Sequence, residues 1–181
     1  VKGNLHEIPD AVFEKVVDRL EEKNMKISGF GSLIGNWAKK ITDDFSTTEA
    51  EISRAIPRMQ RLGAKLIRVM SYAVCKDEGG KDLEEQFAME RIKRMNEINK
   101  RFADVGLTVV HENCMNWGGM SPSYVHRMAE AVPGMKWVFD TGNPVFIDDR
   151  DRPGHKQDAW EMYQAVKPFM AHVHVKDGIW D

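Results

Sequence analysis

The sequence predicts an α/β fold in which helices alternate with the strands of a parallel sheet. Five short runs rich in β-branched and aromatic residues recur along the 181-residue chain. A stretch with apolar residues at helical spacing precedes each run. The helix–strand unit therefore repeats about every 30 to 40 residues. Units of this kind form parallel sheets with right-handed crossovers. Two architectures fit the pattern, a doubly wound open sheet and a (β/α)8 barrel.

The helices are predicted from apolar spacing and from residues that favour helix ends. The first has its apolar side chains on one face. Thr47 and Thr48 are candidate N-caps of the second helix, and Gly63 is its expected C-cap. Ser121 is the candidate N-cap of the fourth helix, and Pro122 suits its first turn. The helices are expected at residues 9–22, from about 47 to 62, 83–103, from 122 to before Pro133, and 157–166.

Three of the predicted strands end in a potential metal ligand. The strands are expected at residues 26–30, 66–71, 107–112, 136–140 and 171–175. The third ends in Glu112, the fourth in Asp140, and the fifth contains His174 near its end. Neighbouring parallel strands lie about 4.8 Å apart, so these three groups can converge on one ion. One imidazole with carboxylates suits Mn²⁺, Mg²⁺, Co²⁺ or Zn²⁺, and the pattern indicates a metal-dependent enzyme.

The position of these residues favours the barrel over the open sheet. No glycine-rich phosphate fingerprint follows the first strand, which weakens a dinucleotide-binding open sheet. Functional residues at the C-terminal ends of successive strands are typical of a barrel. Five units do not close eight strands, so we interpret residues 1–181 as a single domain that lacks about two N-terminal strands and the last strand. Open strand edges lead us to expect that the isolated chain is poorly stable or self-associating and weakly active or inactive.

Composition limits the classes of partner. The net charge of −2 gives no electrostatic reason to expect nucleic acid or an anionic membrane. No apolar run reaches the roughly 20 residues of a transmembrane helix. Two cysteines, Cys75 and Cys114, do not suggest a disulfide scaffold. We therefore expect a cytoplasmic protein with a small-molecule substrate, and assembly as a homo-oligomer stays open.

The ordered series of motifs resembles the sugar isomerase/epimerase superfamily with the xylose-isomerase-like TIM barrel, which also includes the endonuclease IV type of AP endonuclease. The resemblance is carried by Ser28-Gly-Phe-Gly-Ser32, Ile67-Arg68, His111-Glu-Asn113, Phe139-Asp-Thr-Gly-Asn143 and His172-Val-His-Val-Lys-Asp177. It implies that Glu112, Asp140 and His174 bind the metal, with a fourth ligand expected after Asp181. Many members have a histidine where this chain has Asn143. Asparagine is a poorer metal ligand, but it can hydrogen-bond a sugar hydroxyl.

The resemblance implies isomerisation or epimerisation of a sugar or related hydroxy-carbonyl compound through an enediolate, with Glu112 as the catalytic proton carrier. The candidate substrate-binding residues are Asn113, Trp117, Asn143, Lys176 and Arg68. For three of them a structural role is equally open. Trp117 can stack on a sugar or cover the barrel rim, Arg68 can bind an anion or form a structural ion pair, and Lys176 can form a surface ion pair.

Two alternative functions stay open at this point. A phosphoesterase of the AP endonuclease type would need a basic DNA-facing surface and further histidines on the early strands, and residues 27–32 and 66–72 contain none. The chain can also be a non-catalytic, incomplete product whose open edges pair with another chain. Dehydration of a keto-polyol shares the first step of the isomerase reaction and is a further possibility within the same class.

Overall fold

A single parallel sheet organises residues 3–177, the part of the chain that the computed structural model describes. Its strands are β1 (Gly29–Gly31), β2 (Leu66–Val69), β3 (Thr108–Glu112), β4 (Lys136–Asp140) and β5 (Met170–His174). They pair in chain order, and every pair is parallel. A doubly wound sheet would reverse its strand order at an internal switch point. The predicted five-stranded partial barrel is therefore confirmed.

Six α-helices connect and cover the strands in the described part of the chain. They are α1 (Asp10–Glu22), α2 (Ser46–Leu62), α3 (Ala88–Ala103), α4 (Pro122–Ala131), α5 (Asn143–Phe146) and α6 (Ala159–Val166). Their apolar faces and the outer face of the sheet form one core, in which Trp137, Phe102 and Ile67 are fully buried. None of these helices is long and apolar enough to cross a membrane.

The ends of several elements differ from the predictions. The first strand was expected to start at residue 26, but β1 begins only at Gly29. Thr47 and Thr48 lie inside α2 instead of capping it, since Phe45 occupies the N-cap position. Thr48 is buried, and its hydroxyl lies 3.3 Å from the hydroxyl of Tyr72. A tertiary contact therefore replaces the predicted local cap.

Two helices start later than predicted, while two of the predicted helix-end residues, Gly63 and Ser121, keep their positions. Residues 83–87 precede α3, because Phe87 has a φ of 53° and this left-handed conformation interrupts a helix. Asp158 caps α6 by accepting the N–H groups of Trp160 and Glu161. Gly63 is the C-cap of α2, with a φ of 67°. Ser121 stands at the N-cap of α4, although its side chain makes no capping hydrogen bond.

The register of the strands brings polar residues to one end of the concave face. Asp140 pairs with His174 across β4 and β5, and His172 pairs with Val138 one layer deeper. Glu112 lies opposite Val138 across β3 and β4. Because side chains alternate between the two faces of a strand, Glu112, Asp140 and His174 share the face that lines the barrel interior.

The buried His6 makes the stability of the fold dependent on pH. Burial is the main cause that lowers its pKa to about 4, and the nearby Lys39 adds to the effect against the opposing Glu7. In the unfolded chain this group binds a proton near pH 6.5, so lowering the pH from 6.5 towards 4 protonates the unfolded chain first. We expect the free energy of unfolding to fall by up to about 2 kcal/mol between pH 7 and pH 5. Urea unfolding at both pH values measures this loss, and it should shrink in His6→Gln. An equal loss in the variant would assign it to other groups.

Candidate metal centre

The three predicted metal ligands lie together at the C-terminal ends of three neighbouring strands. Glu112, Asp140 and His174 each offer one ligand atom, and these atoms all lie within 4.8 Å of one another. The two carboxylates are buried, with exposed fractions of 4% and 5%. Burying two carboxylates side by side is costly unless positive charge or several donors compensate them. The site must therefore contain compensating cations.

Glu112 is surrounded by three donors. Nη1 of Arg68 donates to its Oε2 at 2.8 Å, in a largely buried ion pair. Its Oε1 lies 3.2 Å from Nδ1 of His174 and 3.4 Å from Nδ2 of Asn143. These contacts fix the orientation of the carboxylate and offset its charge.

Asp140 is fixed by its own turn and by a lysine. Its Oδ1 accepts the backbone N–H groups of Gly142 and Asn143, each at 3.0 Å, and Oδ2 lies 3.3 Å from Nζ of Lys176. Lys176 also donates to Oδ1 of Asn143 at 2.6 Å. A Cβ atom at Gly142 would lie 2.9 Å from Cε of Lys176, so glycine leaves the lysine room to reach the aspartate. The side chain of Asn143 thus links the surroundings of both carboxylates.

The chemistry of this donor set fits a divalent ion. Nδ1 of His174 faces Oε1 of Glu112, an arrangement that requires a proton between the two atoms. A cation bound by the imidazole and the carboxylates would replace this proton and offset both negative charges, as metal binding to protonated sites does. Two hard oxygen donors and one nitrogen donor match Mn²⁺, Mg²⁺, Co²⁺ or Zn²⁺. Glu112, Asp140 and His174 are the residues that would hold it.

The side chain of Asn113 binds the main chain of Asp140 at the end of the neighbouring strand β4. It is fully buried, its Oδ1 accepts the N–H of Asp140 at 2.7 Å, and its Nδ2 donates to the carbonyl of Asp140 at 3.1 Å. The oxygen and the nitrogen of the Asn113 amide therefore both hydrogen-bond the main chain of Asp140. This geometry makes Asn113 a clamp that sets the position of Asp140, a different arrangement from the expected contact with substrate.

Trp117 lies in the hydrophobic core. It is 1% exposed, and its ring packs edge-on against Tyr124 at a centroid distance of 5.4 Å. The guanidinium groups of Arg91 and Arg127 lie 5.7 Å and 5.5 Å from the ring. Of the two roles considered for Trp117, burial fits the covering role and leaves no ring face open for a sugar.

His111 lies on the opposite face of β3 from Glu112, as its position in the strand predicts. It is fully buried, its ring packs against Trp137, and its Nε2 lies 3.1 Å from Oγ of Ser71. Burial lowers the pKa of His111 to about 3, so the ring is neutral at physiological pH. His111 therefore packs between the sheet and the helices, on the opposite face of β3 from the metal centre.

A second group of possible ligands occurs near the N-terminal end of the described residues. Ligand atoms of His6, Glu7 and Glu51 also lie within 4.8 Å of one another. The ammonium group of Lys39 already pairs with Glu51 there. Its residues come from the segment before α1 and from α2, so this cluster lacks the convergence at strand ends that distinguishes the centre at Glu112.

The five parallel strands and the ligands at their ends define an α/β barrel protein with a candidate metal centre. The chain belongs to the family of xylose isomerase-like TIM barrels, whose family profile matches residues 2–181. No curated protein matches the chain.

Solved structures support the same fold. A xylose isomerase-like TIM barrel protein from Mycobacterium smegmatis in complex with magnesium has a TM-score of 0.68 and 19% identity, over 95% of this chain and 58% of that one. The probable 3-DHS dehydratase AsbF from Bacillus anthracis has a TM-score of 0.65 and 19% identity, over 91% and 55%. A D-psicose 3-epimerase in the presence of D-fructose has a TM-score of 0.64 and 13% identity, over 94% and 59%. The chain thus spans less than two thirds of each structure, and identities this low establish the fold alone.

Proposed function

We propose that this chain forms the metal-binding part of a divalent-metal-dependent isomerase or epimerase that acts on a sugar or related hydroxy-carbonyl compound. The convergence of Glu112, Asp140 and His174 at the ends of three consecutive strands is the observation that carries the proposal. Family membership and the epimerase among the structural neighbours support the same class of enzyme. When bound, the divalent ion supplies a Lewis acid that polarises neighbouring carbonyl and hydroxyl oxygens and so acidifies the C–H bond between them.

Glu112 is the proposed proton carrier. A general base must be ionised and oriented towards the carbon that loses its proton. Arg68 and His174 restrict the orientation of the carboxylate through contacts of 2.8 Å and 3.2 Å. Glu112 then takes the proton from the substrate and can return it to the neighbouring carbon. An epimerase also needs an acid–base group on the other face of the substrate, and we assign that role to none of the described residues.

Asn143, Lys176 and Arg68 are the proposed substrate-binding residues. Lys176 is half exposed, and its ammonium group lies beside Asp140, where it can donate to a substrate hydroxyl. Nδ2 of Asn143 makes only a long contact of 3.4 Å to Glu112 and can donate to substrate in its place. Arg68 keeps its Nε buried without a hydrogen-bond partner among the described residues. These three side chains all contact the carboxylates of the centre.

Exchange of a substrate C–H proton with solvent tests this function. We expect the Mn²⁺-loaded chain to exchange a proton next to the carbonyl of a ketohexose such as D-fructose in deuterated water, since Glu112 alone can remove and return a proton at one carbon. Glu112→Gln should reduce the exchange by at least about 100-fold, since the amide cannot accept the proton. His155→Gln, an exposed histidine outside the centre, is the control. NMR of the recovered sugar measures the exchange, and its absence, or its persistence in Glu112→Gln, would contradict the proposal.

A further inference from the structure

A cleft opens beside the metal centre at the same end of the sheet. Its volume is about 310 Å³, and its walls come from the loops that follow β1, β2, β3 and β4. Trp37, Met115 and Phe146 supply apolar walls, and Trp37 and Met115 are 56% and 62% exposed. A large aromatic side chain exposed in a concave site is more typical of a binding surface than of a solvated loop.

The loop that carries Trp37 is held rigidly against the segment after β2. The carbonyl groups of Ile34, Gly35 and Lys39 accept backbone N–H groups of residues 70, 72 and 73. Gly35 has a φ of 63°, and a Cβ atom there would lie 2.1 Å from the carbonyl oxygen of Met70. Only glycine permits this close approach. Trp37 is thus presented to the cleft by a fixed backbone, which lowers the entropy cost of binding a ligand.

The charges in the cleft are paired with one another. Asp82 forms ion pairs with Arg150 and, at 3.8 Å, with Lys76. Asp148 pairs with Lys156 at 2.6 Å. Because each acidic group that lines the cleft already has a cation, and the cations share these partners, the cleft offers no strongly positive surface to a phosphate. Its charge suits a neutral, hydroxylated ligand.

One lysine separates the cleft from the metal centre. Nζ of Lys176 lies 3.3 Å from Oδ2 of Asp140 and 6.0 Å from the ring centroid of Phe146, which lines the cleft. A compound held at the carboxylates can therefore extend past Lys176 into the cleft. A three-carbon compound ends at the centre, whereas a six-carbon chain is long enough to continue.

We propose that this cleft binds the part of the substrate remote from the metal centre, and that Trp37 stacks on the apolar C–H face of a neutral sugar of about six carbons. The inference rests on the proposed function, because the other end of the same molecule is assigned to Glu112 and Asp140. It selects neutral ketohexoses over trioses and over sugars phosphorylated at the remote end. Trp37 then determines substrate specificity without taking part in proton transfer.

Calorimetric titration of Trp37→Ala with two neutral probes tests the proposal. We expect the dissociation constant of the Mn²⁺-loaded chain for D-fructose to rise about three- to tenfold in the variant, as loss of one aromatic contact predicts. The constants for dihydroxyacetone and for Mn²⁺ should change less than twofold. Trp160→Ala is the matched control, since Trp160 is 67% exposed on α6. The unmodified chain should bind D-fructose 6-phosphate no more tightly than D-fructose.

Several outcomes would overturn the inference. For the variants, they are an unchanged dissociation constant for D-fructose in Trp37→Ala, an equal rise of that constant in Trp160→Ala, and an equal rise of the dihydroxyacetone constant in Trp37→Ala. For the unmodified chain, they are tighter binding of D-fructose 6-phosphate than of D-fructose, and no binding of D-fructose. A D-fructose titration of the metal-free chain separates this inference from the proposed function. Weakening by Trp37→Ala without metal supports the cleft even if Mn²⁺ does not bind at Asp140. Mn²⁺ binding at Asp140 with no effect of Trp37→Ala supports the metal centre and removes the cleft.

Discussion

Replacing Arg91 with methionine is expected to lower the free energy of unfolding by about 3–5 kcal/mol. Arg91 lies in α3 and is completely buried, and its guanidinium donates to the carbonyl groups of Gln86, Ser71 and Ala73 at 2.5, 2.6 and 2.7 Å. Methionine retains part of the volume but leaves these carbonyls without their donor. A buried polar group that loses its partner costs about 1–3 kcal/mol.

The expected loss is large because Arg91 fixes a loop at the barrel mouth. Ser71 and Ala73 belong to the segment that follows β2, so one side chain from α3 holds that segment to the helix layer. Arg101→Met is the matched control in the same helix. Arg101 is half exposed, and its ion pairs with Glu97 and Glu49 measure 3.6 and 3.8 Å, so its loss should cost less than about 0.5 kcal/mol. Urea unfolding followed by circular dichroism measures both variants, and similar losses would show that the burial of Arg91 is not decisive.

The sequence was sufficient to predict the sheet and the three residues that converge on its edge. β-Branched runs with helices between them specify parallel strands, and the C-terminal ends of parallel strands meet at one edge. Glu112, Asp140 and His174 therefore had to lie near one another once the strand order followed the chain order. Which face of a strand each of these side chains occupies follows from the two-residue alternation along the strand, and this alternation can be read from the local sequence.

Loop residues could not be predicted in the same way, because a loop has no period that fixes the direction of a side chain. Asn113 follows β3 directly, yet its amide binds the backbone of Asp140. Trp117 lies in a short 3-10 helix that turns its ring into the core. Trp37, the residue that we propose contacts the sugar, was not among the residues predicted from the sequence, although a tryptophan two residues after Gly35 in the loop following the first strand is a signal that could have pointed to it.

The start of α3 shows how tertiary contacts decide a helix boundary. Apolar and charged residues from 83 onward have good helical spacing, so the helix was predicted to begin there. The side chain of Gln86 instead hydrogen-bonds the N–H and the carbonyl group of Cys75 and the carbonyl group of Leu83. These bonds join residues 83–87 to the loop after β2. Cys75 lies eleven residues before Gln86, too far in sequence for a local helical pattern to reveal the contact.

Replacing Asp140 with asparagine is expected to weaken Mn²⁺ binding by at least about 100-fold while preserving the fold. The amide oxygen of asparagine can still accept the N–H groups of Gly142 and Asn143, which Oδ1 of Asp140 accepts now. The variant loses the negative charge, and it presents an NH₂ group to Lys176 in place of Oδ2. The metal would then have one anionic ligand fewer and an adjacent lysine whose charge is no longer offset.

A buried aspartate outside the centre provides the matched control for this substitution. Asp149 is 2% exposed, accepts the N–H of Asp151 and pairs with Arg152 at 2.9 Å, but it is not one of the clustered ligands. Asp149→Asn should therefore leave the Mn²⁺ affinity unchanged. Calorimetric titration measures both affinities, and the rise in melting temperature with added Mn²⁺ provides a second measurement, because a ligand that binds only the folded chain stabilises it. Loss of that rise in Asp140→Asn, with its retention in Asp149→Asn, would assign the binding to this centre. Equal affinities in the two variants would mean that Asp140 does not bind the metal.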